Sequence, residues 1–387
     1  MSEERATPGT VERDTVALAK RLIACRSLTP ADGGCLELVG SRLAAAGFRI
    51  ERLDRGGVGN LWARRGSTTP VVCLAGHVDV VPPGPLEQWS SDPFVATERE
   101  GYLYGRGAAD MKGAVAALVT AVERLVTRNP AHRGSIAVLL TSDEEGAAVN
   151  GTAAVVETLA ARGETIDWCI LGEPTSAGQL GDLIKNGRRG SLSGTLTVRG
   201  IQCHIAYPER GLNPIHAALP ALADLASTEW DFGNEYFPPT SFQISDIHAG
   251  TGAGNVIPGT LDVLFNFRFS TASSPDDLQS RVASVLDRHK LDYDLEWSVL
   301  AMPFMTPSGP LTDTVSSVVK RVTGLTAQLS TSGGTSDGRF LRAIAREIVE
   351  VGPPSETIHK VDERVSLADL GQLSIIYEQV IAALLAA

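Results

Sequence analysis

Val71-Val72-Cys73-Leu74-Ala75-Gly76-His77-Val78-Asp79 begins as an unbroken apolar run and ends on an imidazole and a carboxylate. With no polar residue from Val71 to Ala75, neither face of the segment suits water, which predicts a strand buried on both sides. Three further short runs are followed in the same way by polar clusters. Ile136–Leu140 leads to Asp143-Glu144-Glu145, Trp168–Leu171 to Gly172-Glu173-Pro174, and Ile348–Val351 to the segment holding His359. Helical patterns over Gly113–Val126 and Ala153–Ala161 lie between them. Buried strands with intervening helices predict an α/β sheet, and in such sheets ligands gather beyond the carboxyl ends of the strands.

Outward from this core, residues 11–47 read as two amphipathic helices, broken near Thr29-Pro30 and ended by Gly47. The middle of the chain changes character. Residues 191–198 alternate apolar with hydroxyl-bearing or small residues, and Leu261, Val263, Phe265, Phe267 and Phe269 alternate with Asp262, Asn266 and Arg268. That period belongs to strands covered on one face, and helical patterns at 213–226 and 275–289 could supply the cover. The expected organisation is a discontinuous catalytic domain, 1–189 with 304–387, and an inserted α+β domain at 190–303. Pro303–Pro310 reads as the return linker.

Composition sets bounds. A chain of 387 residues suggests about two domains. Its net charge of −11 disfavours nonspecific nucleic-acid binding. Apolar stretches such as Val71–Ala75 and Val380–Ala387 are expected to be too short to cross a bilayer, so no membrane partner is expected. The start, Met1-Ser-Glu-Glu-Arg-Ala-Thr-Pro8, lacks the apolar core of a secretory signal and reads as a polar extension. Five cysteines without CxxC spacing read as reduced thiols, with Cys73 and Cys169 in the core, and a cytoplasmic location is expected.

The polar clusters carry the chemistry. His77 and Asp79 are two positions apart, so along continuing strand geometry they share a face. The natural division has His77 on a metal and Asp79 holding the imidazole from behind, although an ordinary loop hydrogen bond would use the same pair. Asp110, in a glycine-rich turn before a helix, could offer one oxygen to each of two metals or could cap the helix. Adjacent Glu144 and Glu145 diverge, which lets Glu144 act as general base and Glu145 as ligand. Glu173 and His359 complete a set of imidazoles and carboxylates that suits zinc better than magnesium or calcium. Two such ions about 3.5–4 Å apart can activate one water. Arg188 and Arg268 supply cations suited to substrate carboxylates, and the Gly334-Thr335 segment supplies backbone and hydroxyl donors. His204, near Tyr207, could donate to an oxyanion or serve a structural role.

These motifs resemble those of the succinyl-diaminopimelate desuccinylases, within the two-zinc aminoacylase and carboxypeptidase superfamily. The broad resemblance rests on Gly-His77-Val-Asp79-Val-Val-Pro, Gly-Arg-Gly-Ala-Ala-Asp110-Met-Lys-Gly, Ser-Asp-Glu144-Glu145 and Gly-Glu173-Pro. The narrower one rests on Lys-Asn-Gly-Arg188-Arg-Gly, Ala-Tyr207-Pro, Asn-Pro-Ile-His216, Phe-Pro-Pro-Thr-Ser, Asn255-Val-Ile-Pro, Gly-Gly334-Thr335-Ser-Asp-Gly-Arg-Phe and Ser-Glu-Thr-Ile-His359-Lys. The resemblance implies a zinc-peptidase-like α/β catalytic domain with a mixed central sheet. It also implies an inserted α+β dimerisation domain with an antiparallel sheet, through which a homodimer forms. One zinc would be held by His77, Asp110 and Glu173, the other by Asp110, Glu145 and His359, with cobalt a possible substitute. Asp79 would support His77, Glu144 would be the base, and the Asp110–Met111 peptide would be cis. His204 would complete the partner subunit's site. Arg188, Arg268, Asn255 and Thr335 match positions that hold the substrate's carboxylates or amide. Cys203 stands where the family pattern has glycine, and Gly254 where asparagine is common.

The expected reaction is hydrolysis of the amide of N-succinyl-L,L-2,6-diaminopimelate. The rival readings are a related N-acyl-amino-acid hydrolase, such as an acetylornithine deacetylase, a dimeric carboxypeptidase, and a noncatalytic scaffold that binds metal or ligand.

Overall fold

Four apolar runs become four neighbouring parallel strands in the computed structural model, which describes residues 7–250 and 252–386. They lie in the order Ser135–Thr141, Val71–His77, Ile166–Leu171, Ala345–Glu350. The first two are buried along their whole length, as strands covered on both faces must be. Asn60–Arg65 and then Arg49–Arg52 extend one side antiparallel. On the other side Leu183–Lys185 meets Ala345–Glu350 antiparallel, and Gln328–Ser330 pairs parallel to it. The result is an eight-stranded mixed sheet. Of the polar extension expected over residues 1–8, residues 1–6 lie outside the described residues, whereas Thr7 flanks the first helix and Pro8 begins it.

Helices Pro8–Ala24, Gly113–Arg128 and Pro310–Thr323 pack against the last helix, Leu367–Ala386. That last helix corrects the expectation about membrane-spanning length, because its 20 residues are long and apolar enough to cross a bilayer. In this fold it lies among three other helices, and Leu370, Leu373, Ile376, Tyr377, Val380, Ile381 and Leu384 are buried in the core. A helix surrounded in this way is apolar around most of its circumference, so composition resembles that of a span.

The chain divides into two compact units. The first holds the described residues up to Gly187, Met305–Ser330, and the chain from Ser336 on; the second holds Arg188–Phe304 and Thr331–Thr335. The short segment Thr331–Thr335 is absent from the expected insert 190–303. Its membership follows from hydrogen bonds: Thr331 Oγ1 donates to Tyr236 O at 2.6 Å, and the Arg188 guanidinium donates to Gly334 O at 3.3 Å.

The second unit contains a four-stranded antiparallel sheet in the order Ser241–Ala249, Thr260–Phe269, Gly190–Arg199, Tyr293–Ala301. Along Thr260–Phe269 every second residue is buried, and Val263, Phe265, Phe267 and Phe269 join Leu278, Val282 and Leu286 in one core. Two α-helices of this unit, Pro214–Ser227 and Pro275–Arg288, each begin on proline after a capping side chain. Asn213 Oδ1 accepts from Ile215 N at 3.0 Å, and Ser274 Oγ accepts from Asp277 N at 3.1 Å. Gly194 faces Phe265 across the ladder, and a Cβ there would stand 2.2 Å from the ring. Only glycine leaves room for that aromatic to lie over the strand.

Candidate metal centre

Strand ends in the first unit bring the predicted ligands together as two triads. His77, Asp110 and Glu173 each present a ligand atom within 4.8 Å of the others, and so do Asp110, Glu145 and His359. Asp110 belongs to both. Its Oδ1 lies 3.1 Å from His77 Nε2, while its Oδ2 lies 3.4 Å from His359 Nε2. Each oxygen therefore faces a different imidazole. His359 Nε2 also lies 2.9 Å from Glu145 Oε1.

Local backbone explains these directions. Val71–His77 pairs in parallel with the strands on both sides, so its last residue projects His77 from the carboxyl edge of the sheet. Gly76 lets Met111 lie close: His77 N donates to Met111 Sδ at 3.3 Å, and a Cβ on Gly76 would sit 2.2 Å from Met111 Cε. Asp110 does not cap the following helix, whose flanking residue is Lys112. It is held extended, at φ −125° and ψ 97°, and the Asp110–Met111 peptide is cis. His359 sits in the left-handed region at φ 60°, a conformation in which histidine is enriched among non-glycine residues.

Asp79 differs in detail from the expectation. His77 Nδ1 donates to the main-chain carbonyl of Asp79 at 2.9 Å, whereas the Asp79 carboxylate is 3.6 Å away. The carboxylate is turned to two other donors, accepting from Glu144 N at 3.3 Å and Glu145 N at 3.2 Å. The carbonyl thus directs Nε2 at the first triad, while the side chain steadies the loop of the two glutamates.

Two residues that the sequence did not single out hold Asp110 in place. Glu363 and Arg106 form an ion pair at 2.7 Å and are almost wholly buried. The same Glu363 carboxylate accepts from Gly107 N at 2.9 Å, Ala109 N at 2.9 Å and Asp110 N at 3.0 Å. Beneath the same turn, Lys112 Nζ donates to Cys25 O at 2.7 Å.

The electrostatics are those of crowded acids and imidazoles. Burial opposes a charged His77, but Asp110, Asp79 and Glu173 hold its pKa well above the ordinary value. The Asp110 and Glu145 carboxylates push His359 up to about 10. Burial pushes Glu144 up to about 8, with Asp337, Glu145 and Asp110 adding to the rise against the pull of His77. Burial, then the charge of Glu144, raises Glu173 well above the usual carboxylate range. Glu173 Oε1 is buried and has no hydrogen-bond partner among the described residues. An orphaned carboxylate oxygen costs free energy unless a cation takes it up. That orphan, with two imidazoles and three carboxylates on two triads, fits a pair of divalent ions.

Residues 73–383 match the pattern of peptidase family M20/M25/M40. The chain belongs to that family. Among its curated relatives, the succinyl-diaminopimelate desuccinylase of Dechloromonas aromatica is 59% identical over 373 residues, covering 96% of this chain and 99% of the relative. That of Nitrosospira multiformis is 60% identical over 372 residues, covering 96% and 98%. Identity of that extent places this M20/M25/M40 chain within the desuccinylase branch. A solved M20 metallo-carboxypeptidase from Sulfolobus solfataricus has the same fold, with a TM-score of 0.81 at 15% identity over 97% of this chain and all of that one.

The remaining predicted residues lie in the second unit. Cys203–His204 pairs with Val256–Ile257, and Ile205 N donates to Asn255 O at 3.0 Å, so His204 and Asn255 share one small ladder. His204 is exposed and its Nδ1 accepts from Ala206 N at 3.1 Å. Its ring centroid lies 5.8 Å from that of Tyr207, and the Cys203 thiol closes the same turn on Tyr207 O at 3.6 Å. Arg188 is buried against the Ser332–Gly334 carbonyls, and Arg268 lies opposite Ser191 and Ser241 in the large sheet. Gly334 and Thr335 belong to the short returning segment of this unit, whereas Ser336 and the buried Asp337 belong to the first.

Proposed function

We propose that this enzyme hydrolyses the amide of N-succinyl-L,L-2,6-diaminopimelate to succinate and L,L-2,6-diaminopimelate. The observation that carries it is the pair of triads sharing Asp110, in a chain 59% identical over nearly its whole length to a desuccinylase. His77, Asp110 and Glu173 would hold one divalent ion, and Asp110, Glu145 and His359 the other. The mixed imidazole and carboxylate set favours zinc, with cobalt a workable substitute. When bound, such ions supply Lewis acidity and positive charge that lowers the proton affinity of nearby groups.

Glu144 is the general base. It takes a proton from the water that attacks the succinyl carbonyl and returns it to the departing amine. The Asp79 carboxylate, bonded to the Glu144 and Glu145 amides, supports this by fixing the loop. In the second unit, Arg188, Arg268, Asn255, Tyr207, Gly334 and Thr335 are the proposed contacts for the substrate's carboxylates and amide, and His204 is the proposed oxyanion donor. A homodimer through this unit is supported by apolar side chains left exposed on its sheet, among them Ile247, Leu264, Val299 and Leu300. Five free thiols support a cytoplasmic location.

The test is a substrate panel. Metal-stripped protein is supplied with zinc, cobalt or manganese and offered N-succinyl-diaminopimelate, N-acetylornithine and dipeptides. The succinylated substrate should be hydrolysed with the highest kcat/KM and only with added metal. A preference for either rival substrate would reassign the acyl specificity, and absence of metal-dependent turnover would remove the enzymatic reading.

A further inference from the structure

Cys25 and Cys35 meet where the first helix ends and the second begins. Cys25 Sγ lies 3.4 Å from Arg21 O and Cys35 Sγ 3.7 Å from Leu22 O, consecutive carbonyls of one helical turn. Both sulfurs therefore lie against the last turn of the first helix, and Cys35 Sγ also lies 3.9 Å from Ser27 Oγ. Cys25 is half-buried and open to a small oxidant, while Cys35 is fully buried behind it. The neighbouring Cys35 thiol brings the Cys25 thiol down to about 6, against partial burial and with help from the Lys112 ammonium. An accessible thiolate beside a buried second thiol and a fixed cation is the arrangement of a redox-sensitive pair.

The segment between them bears on the metal centre. Ser27 Oγ donates to Val78 O at 2.6 Å and Val80 N to Ser27 O at 2.9 Å, which braces the loop of His77 and Asp79. Ser142 Oγ donates to Pro30 O at 2.7 Å, just before Glu144, and Lys112 of the Asp110 turn donates to Cys25 O. Joining residues 25 and 35 therefore constrains the support of three ligand-bearing loops at once. The sequence composition suggested five ordinary reduced thiols, and only the fold brings these two to one helical turn.

We propose that Cys25 and Cys35 form a reversible oxidation site that slows hydrolysis when closed. Hydrogen peroxide is the oxidant. The Cys25 thiolate attacks one peroxide oxygen, the O–O bond breaks and hydroxide leaves, which gives the sulfenic acid. The Cys35 sulfur then attacks Cys25 sulfur, its proton joins the departing hydroxyl as water, and the S–S bond forms. The two sulfurs together lose two electrons and peroxide gains them. A small dithiol reverses the process by exchange.

The metal-loaded full chain is exposed to graded peroxide, free thiols are alkylated, and digested peptides are analysed by mass spectrometry. The expected product is a Cys25–Cys35 linked peptide pair, with Cys73 and Cys169 still alkylated after unfolding. Its appearance should parallel a fall in hydrolysis of about tenfold or more, as misplaced catalytic groups produce, restored by dithiothreitol. Cys35→Ser should stop at a sulfenic acid on Cys25 that dimedone traps. Cys25→Ser should keep its hydrolytic rate under the same peroxide dose. The proposal is overturned if peroxide oxidises Cys203 while Cys25 stays free, or if Cys25→Ser is inactivated as readily as the parent. Linkage without any change in rate would overturn the regulatory half.

Discussion

Glu363 accepts the main-chain N–H of Asp110 at 3.0 Å, so the residue shared by both triads is anchored by a residue 253 positions later. The carboxylate is nearly inaccessible, pairs with Arg106 at 2.7 Å and takes two further amides of the same turn. Removing one member of a buried pair strands the other, which typically costs about 3–5 kcal/mol. Glu363→Ala is expected to lose stability of that order in denaturant unfolding. It should also weaken divalent-ion binding by about 10–100-fold, as loss of an outer support does. A variant that unfolds at the parent's denaturant concentration and binds zinc equally well would show that Glu363 does not hold the turn.

Glu144 neighbours both triads without belonging to either. Glu144→Gln keeps the size of the side chain and removes its capacity to take a proton. It should retain both metals in elemental analysis while kcat falls by about 10²–10⁴-fold, the usual weight of general-base catalysis. Unaltered turnover would give the base role to another group.

The difference between Glu144 and Glu363 shows what could be read in advance. Glu144, His77, Glu173 and His359 follow apolar runs, and a run that predicts a buried strand also predicts where its carboxyl end points. Glu363 sits in Val361-Asp-Glu-Arg364, which reads as an exposed charged loop. Its burial comes from closure of the chain over a turn more than two hundred residues earlier, and no local period records that. The same holds for Asp79. Spacing put it near His77, but which of its oxygens meets which donor depends on where the Glu144–Glu145 loop crosses. Helical periodicity placed the helices of both units well, because packing against a sheet repeats along the sequence. The Thr331–Thr335 segment joins the second unit through a few hydrogen bonds, and such bonds leave no periodic trace.

Gly76 offers a test of how tightly the first triad is built. A methyl group there would stand 2.2 Å from Met111 Cε and 2.8 Å from its Sδ. Met111 follows Asp110 directly, so its displacement is transmitted to the residue shared by both triads. Overpacking of this kind costs about 1–3 kcal/mol in stability. Gly76→Ala is expected to lower the melting temperature and to reduce metal-dependent activity together. Wild-type values for both would mean that Met111 has room to move.

Removal of the metals should reverse the usual advantage of neutral pH. In the metal-free protein, His359 is raised from an ordinary 6.5 to about 10 by Asp110 and Glu145, and burial raises Glu144 from 4.5 to about 8. Both groups hold protons in the folded state that the unfolded chain has released, so between those values folding takes up protons and stability falls as pH rises. Glu144 imposes this loss from about 4.5 to 8, and His359 from about 6.5 to 10. Asp79 and Asp110 have lowered values and act in the opposite sense in acid, below the ordinary 3.8 of an aspartate, and the lowered Cys25 thiol opposes the trend between about 6 and 9 but is outnumbered by the raised Glu144, His359, His77 and Glu173. Chelated protein is therefore expected to melt at progressively lower temperature from pH 5 to pH 9. Divalent ions compete with these same protons, so zinc should raise the melting temperature most at the alkaline end. Melting curves with and without zinc across that range decide the matter. If the chelated protein became more stable towards pH 9, or if the gain from zinc did not grow with pH, the protons would not be on the ligand cluster.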